Sequence, residues 1–202
     1  RNSAGMPTRQ EFWEKPGGGG AVVLTGAIDT TYDSMNRALT KVYDKQAGET
    51  ITEAYTYFFD QIQSIRIYSN LNPTRIYRTD YEFNLLPGGR PKDISAIKRA
   101  IAEDGAGDPT AFAVTSLAYN AAGEMDQITY PNGDIYRTEY YPNGLVMKRY
   151  NAADPLRAAS FTYDSRGFPA SRTDPKGGVQ TMQFDAQGRL VAHTNALGET
   201  TI

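Results

Sequence analysis

The sequence predicts an all-β protein built of stacked antiparallel β-hairpins, with one short helical insertion. Three observations carry that expectation. First, the C-terminal part is a repeat. Tyr119, Tyr140, Tyr163 and Phe184 recur at intervals of 21, 23 and 21 residues, and each is followed four residues later by a glycine: Gly123, Gly144, Gly167 and Gly188. Second, further columns keep the same register. Thr129, Tyr150, Thr173 and Thr194 stand six residues after those glycines, and Gly133, Asp154, Gly177 and Gly198 stand ten after. A period near 20 with fixed glycines and aromatics signals a repeat architecture. Third, 14 tyrosines and 19 glycines in 202 residues fit many short strands and tight turns better than helical layers.

Each copy is a two-strand, two-turn unit. In Tyr163-Asp164-Ser165-Arg166-Gly167 the aromatic ends a strand, and Asp164 suits the first corner of a turn, where its carboxylate accepts backbone N–H groups. Gly167 supplies the positive φ that a type I turn with a G1 bulge requires. Phe184-Asp185-Ala186-Gln187-Gly188 repeats this chemistry, and Tyr119-Asn120-Ala121-Ala122-Gly123 does so with Asn for Asp. A short strand such as 189–193 follows. A second turn then falls at Pro131-Asn132-Gly133, at Asp174-Pro175-Lys176-Gly177-Gly178, or at Asn195-Ala196-Leu197-Gly198. Return strands such as 179–184 are rich in Thr, Val and aromatic residues.

At these residues the chain resembles the YD-repeat proteins of the Rhs (rearrangement hot spot) family, which includes insecticidal toxin-complex C components, bacterial polymorphic toxins and teneurins. The shared pattern is Tyr-Asp-x-x-Gly-Arg-Leu, then Thr, then Asn/Asp-x-x-Gly. Residues 184–198 match it best, with Phe for Tyr, and Tyr163 to Phe168 come next; the copies at Tyr119 and Tyr140 are degenerate, with Tyr141-Pro142 where Asp is expected. The resemblance covers about the last 87 residues. It implies a curved, open sheet forming part of a larger β-shell. It also implies neighbouring repeats as partners, an enclosed toxin domain, and a secreted or cell-surface location.

From the start of the chain, 1–20 reads as a flexible connector, with Pro16 leading into Gly17-Gly18-Gly19-Gly20. A phosphate-cradling loop is the alternative, but the Gly-Lys-Ser/Thr of a P-loop is missing. Residues 21–84 read as a degenerate repeat region. Tyr32-Asp33-Ser34-Met35-Asn36-Arg37 repeats the turn, with Asn36 in the glycine slot because Asn tolerates the left-handed region. Residues 52–81 carry Tyr55, Tyr57, Phe58, Phe59, Ile62, Ile65, Ile67, Tyr68, Ile76, Tyr77 and Tyr81, read as long strands broken at Asn70-Leu71-Asn72-Pro73. Core packing is the expected role of these aromatics, and a sugar-stacking platform is the alternative. In 85–115 the pattern changes to a loop, Pro87-Gly88-Gly89-Arg90-Pro91, and a helix from Ile94 to about Asp104, N-capped by Asp93 and ended by Gly105. Ile94, Ile97 and Ile101 share its stripe. That stripe is expected on the sheet, with a partner-binding helix as the alternative. The repeat region proper is 116–202.

Composition bounds the chemistry. A formal charge of −2 gives no electrostatic footprint for nucleic acid, and no apolar run is long enough for a membrane-spanning helix. With no cysteine there is neither a disulfide nor a thiolate site. His193 is the only histidine, and the expectation for it is a surface or half-buried strand residue. No Gly-x-Ser-x-Gly elbow exists, and the aspartates of the repeats have turn roles. Rhs-like proteins carry a self-cleaving aspartate region of Asp-Pro-x-Gly-Leu type. Asp174-Pro175-Lys176-Gly177-Gly178 matches it superficially, lacks the leucine and sits in an ordinary copy. No catalytic, cofactor or metal residue is therefore nominated, and the chain is read as a non-enzyme. Two function classes remain. One is a structural segment of a repeat shell around a toxin domain. The other is an extracellular module binding carbohydrate or a cell-surface protein. Both ends read as cut, which makes a self-associating fragment the expectation.

Overall fold

The computed structural model describes residues 1–14, 23–44, 48–103 and 109–202. It is all-β. Eight strands precede or enter the repeat: β1 (Arg9–Glu14), β2 (Val23–Tyr32), β3 (Ala38–Asp44), β4 (Thr50–Phe58), β5 (Gln61–Ser69), β6 (Asn72–Leu85), β7 (Pro91–Glu103) and β8 (Pro109–Tyr119). Eight more complete it: β9 (Met125–Thr129), β10 (Ile135–Tyr140), β11 (Val146–Asn151), β12 (Ala158–Tyr163), β13 (Pro169–Thr173), β14 (Val179–Phe184), β15 (Leu190–Thr194) and β16 (Thr200–Thr201). The order in the sheet is the order in the sequence, so each strand is hydrogen-bonded to its chain neighbours. The chain divides into two compact units, Arg1–Val114 and Thr115–Ile202.

One turn geometry closes most hairpins. The amide of the first turn residue donates to the carbonyl four residues on, and the amide of the fourth donates back to the carbonyl of the first. This pair recurs in the turns that begin at Asn2, Asp33, Leu86, Asn120, Tyr130, Tyr141, Asp164, Asp174, Asp185 and Asn195. The fourth residue lies at positive φ: 89° at Gly167, 79° at Gly188, and 62° at Asn36, which takes the glycine position as its side chain allows. A register shift follows several of these turns, as where Tyr163 faces Pro169 and Phe184 faces Leu190. That is the bulge a type I turn with a left-handed fourth residue produces.

In the N-terminal unit, register sorts the side chains onto two faces. Glu53 faces Lys41 and Ile67, Tyr55 faces Ile65, and Ile67 faces Tyr77, which gathers Ile51, Tyr55, Ile65, Ile67, Tyr77 and Tyr81 on one face together with the Glu53–Lys41 pair. The other face is polar. Ala54 faces Arg66, Arg66 faces Arg78, and Asp80 faces Ser64 and Lys98. Ion pairs tile it, Arg78 to Asp80 at 2.8 Å and Lys98 to Glu82. Among the described residues only Ala27, Ala96 and Ser64 are buried, and no large side chain is fully so. Cohesion therefore comes from hydrogen-bonded ladders and cross-strand pairs rather than from a closed core.

The expected helix is not there. Residues 94–103 belong to β7, a 13-residue strand paired with β6. The pairing explains the misleading spacing. Ala96 faces Glu82 and Ile97 faces Tyr81, but Ile94 faces Phe83, because the register shifts between them. That β-bulge adds one residue and brings Ile94 onto the face of Ile97. A strand with a bulge thus displays apolar residues at i, i+3 and i+7, as an amphipathic helix would. Asp93 caps nothing helical and lies inside the strand; Gly105 lies outside the described residues, as do Gly17 to Gly20. The long strands at 52–81 break at Asn70-Leu71, the first half of the expected break, while Asn72 and Pro73 already belong to β6, and they break also at Phe59-Asp60. There Phe58 pairs with Gln61 across a two-residue turn with Phe59 at φ 55°.

Candidate functional site

The feature that repeats with chemistry attached is a ladder of turns, and its ties run between successive turns at one end of the hairpins. The aromatic that ends a strand reaches back to the residue just after the preceding turn. Tyr32 donates its hydroxyl to the carbonyl of Pro7 at 2.8 Å, Tyr57 to Ala38 at 2.7 Å, and Tyr140 to Met125 at 2.7 Å. An arginine in the turn reaches forward. The Arg37 guanidinium donates to the carbonyl of Phe59, and that of Arg166 donates to the carbonyls of Asp185 at 2.6 Å and Phe184 at 3.2 Å. Packing follows the same path. A β-carbon on Gly188 would stand 2.8 Å from Phe168 Cζ, so glycine is required there by close approach as well as by φ. The Phe168 ring also stacks on Phe184 at 5.1 Å.

Within each turn the first residue holds the loop. Asp164 Oδ1 accepts from the amides of Arg166 and Phe168, and Asp185 Oδ1 from those of Gln187 and Arg189. Asp33 and Asp174 accept in the same way. Donors aimed at a carboxylate favour its charged form. The guanidinium of Arg166 is the main cause that holds Asp164 below the usual carboxylate range. For Asp33, Asp174 and Asp185 the main causes are the amides of Arg37, Gly178 and Arg189 respectively. Such groups stay ionised near neutrality and make poor general acids.

The N-terminal unit holds one denser polar cluster. The Glu53 carboxylate accepts from the hydroxyls of Tyr43, at 2.9 Å, and Tyr55, while Lys41 lies over the Tyr55 ring at 5.7 Å. Burial first, and Glu53 second, push the Tyr55 and Tyr43 phenols up. Burial also pushes up Tyr57, against the nearby Arg37. The cluster resembles strand pairing more than catalysis, since the carboxylate's partners are already in place.

His193 sits in the middle of β15, half-buried, opposite Met182 on one side and Thr201 on the other. Asp174 is occupied within its own turn by the amides of Lys176 and Gly178. The structure brings neither residue to the other nor to a cleft. Among the described residues, no group of three or more His, Asp or Glu side chains is placed to hold a metal ion. The aromatics of 52–81 are divided between the faces, with Phe58 stacked on Phe83 at 6.4 Å and Tyr77 left 60 % exposed. Reading by residue type missed the Tyr and Arg ties between turns. Their partners are backbone carbonyls 15 to 25 residues away, which no local motif marks; the aromatic column was the only signal.

Comparison with known proteins agrees with this geometry. Residues 163–200 match the RHS Repeat family. No curated protein matches the chain. Among solved structures, TcdB2-TccC3 without its hypervariable C-terminal region aligns with 84 % of this chain at a TM-score of 0.52 and 15 % identity. TcdB2-TccC3 itself aligns with 95 % at 0.51 and 14 % identity. A Tc holotoxin pore of Photorhabdus luminescens aligns with 88 % at 0.50 and 11 % identity. The chain spans 10 to 12 % of the length of those proteins. It carries an RHS repeat at 163–200 and resembles the Rhs/YD-repeat proteins, in sequence over those residues and in fold over most of its length.

Proposed function

We propose that this chain is a wall segment of an Rhs/YD-repeat shell that encloses a C-terminal toxin domain and helps to deliver it, in a secreted or cell-surface protein. The observation that carries the reading is the turn ladder: several hairpins hold their neighbours through side-chain ties to backbone carbonyls, and the described residues form no closed core. A wall needs that arrangement, since its strength must run along the sheet and its faces must stay available to what lies on either side. The fold shared with TcdB2-TccC3, a protein solved with and without a hypervariable C-terminal region, supports the same reading. In a shell the partners of this segment are neighbouring repeats and the enclosed domain, and its role is structural rather than catalytic.

Protease protection in the parent protein tests this. In the native parent the C-terminal region should resist digestion, and it should become digestible only after denaturation. A parent with Gly167→Val and Gly188→Val together should expose that region to digestion. Equal digestion of the C-terminal region in both proteins would remove the shell reading.

A further inference from the structure

The short sequence Tyr-Pro-Asn-Gly occurs twice, at 130–133 and at 141–144, and closes the same turn both times. The first ring is used differently. Tyr141 is absorbed by the fold: its hydroxyl donates to the Phe161 carbonyl at 3.1 Å and its ring meets Tyr163 edge to face at 6.2 Å. Tyr130 is 42 % exposed and its ring meets that of Tyr136, itself 45 % exposed, with centroids 5.8 Å apart and planes at 89°. The two rings wall an open cleft of about 460 Å³, floored by Pro131, Asn132 and Asp134.

The polar groups of the cleft decide what it accepts. Asn132 is consumed inside the turn, donating Nδ2 to Asp134 Oδ2 at 2.7 Å and accepting the Asp134 amide at 3.1 Å. What remains for a ligand is the rest of the Asp134 carboxylate, which only accepts, the two phenol hydroxyls, and the exposed ring surfaces of the edge-to-face pair. No Lys or Arg lines the cleft. Perpendicular tyrosines beside a carboxylate complement a bulky cation, whose charge is attracted to ring faces within about 6 Å.

We propose that the cleft between Tyr130 and Tyr136 binds a quaternary alkylammonium group, with Asp134 supplying the counter-charge. The inference is independent of the shell reading.

Two-dimensional amide NMR of the whole chain, titrated with tetramethylammonium and with choline, tests it. Shifts should concentrate at Gly133, Asp134 and Tyr136, and should weaken as salt is raised. The uncharged isostere 3,3-dimethylbutan-1-ol should bind about fivefold or more weakly. Asp134→Asn, a conservative change in an exposed turn, should weaken choline by a similar factor with the rest of the spectrum unchanged, and Tyr130→Leu should abolish the shifts. A choline arm and an Nε-trimethyllysine amide arm then separate a lipid-headgroup source from a protein one, and tighter binding of either identifies it. Equal binding of the isostere, indifference to Asp134→Asn, shifts elsewhere in the chain, or preference for a methyl glucoside would each overturn the proposal.

Discussion

From Met125 to Thr194 the strands run five or six residues, while from Thr50 to Glu103 they run nine to fourteen. The turns differ in step. In the short-stranded region most are held by an Asx side chain and all but the 151–157 loop by a left-handed glycine, as at Asp164/Gly167, Asp174/Gly177, Asp185/Gly188 and Asn195/Gly198. In the long-stranded region the 86–90 turn keeps the left-handed glycine, at Gly89, but Phe59-Asp60 turns with no glycine and with an aromatic at positive φ. Each cross-strand pair contributes a few tenths of a kcal/mol up to about 1. A pairing of eight residues, such as β4 with β5, tolerates a poor turn; a pairing of three, such as β13 with β14, does not. Stability sits in the strands of one unit and in the turns of the other.

The sharpest way to break that contrast is Gly188→Val. Strain at φ 79° costs about 1–3 kcal/mol, and the new side chain meets the Phe168 ring, adding about as much again. Urea denaturation should show a loss of roughly 2–5 kcal/mol. Gly167→Val has the same backbone strain but a nearest neighbour, Leu145 Cδ1, at 3.8 Å from the β-carbon, so its loss should be the smaller. Equal losses would mean that Phe168 yields and that the ladder is looser than its geometry.

Next in size is an opposite response of the two units to pH. Asp164, Asp174 and Asp185 have depressed folded pKa values, so their stabilisation is complete above the ordinary carboxylate value near 4 and is lost as pH falls through the folded values. In the turns at Asn120 and Asn195 an amide oxygen, which does not titrate, accepts from the corresponding backbone amide, and these turns serve for comparison. Hydrogen exchange, corrected for intrinsic rates, should show Phe168, Gly178 and Arg189 amides losing protection in acid while Glu124 and Glu199 keep theirs. Alkali should act first on the N-terminal unit. Tyr43, Tyr55 and Tyr57 are raised, so the stability they carry is intact below about pH 10 and declines as pH rises toward their folded values. Tyr150, raised chiefly by Glu139, is the exception in the C-terminal unit and Asp33 the exception in the N-terminal one.

Legibility followed the same division. The turns of the C-terminal unit could be read because Asx and glycine act within five residues, and the chemistry at Asp164 or Asp185 is written where it is used. β7 could not be read, because a bulge is a property of a strand pair, and the offset at Ile94 is set by Phe83 on the partner strand. The Phe59 turn was hidden for a related reason: none of Phe58, Phe59, Asp60 and Gln61 announces a left-handed residue, and the pairing on either side imposes it. The aromatic column was visible without its purpose, since the carbonyls that Tyr57 and Tyr140 bind belong to the hairpin before.

Two smaller substitutions sharpen the contrast. Arg166→Gln removes donors to the Asp185 and Phe184 carbonyls from a side chain that is 40 % exposed, and should cost under about 1 kcal/mol. Phe59→Gly relieves a left-handed aromatic, worth about 1–2 kcal/mol, but gives up the edge-to-face contact with Phe58 at 5.1 Å, worth about 0.5–1.5. Thermal and urea midpoints should move by less than about 1 kcal/mol in either direction, the smallest effect of the set. A large loss there would show that the N-terminal unit leans on its turns after all.

Strand order that copies sequence order has a kinetic meaning. Slow folding of all-β proteins comes from strands that wait for partners far along the chain, at the entropic cost of closing long loops. Here a strand pairs with the strand before it and the strand after it. A hairpin therefore needs little more than its own 20-odd residues before it can form, and each new hairpin finds its template already present. Cooperativity in such an array passes from neighbour to neighbour, so a nucleus can arise at any well-capped turn and spread in both directions. The chain can be completed in the order in which it is made, with no segment held open for a distant mate.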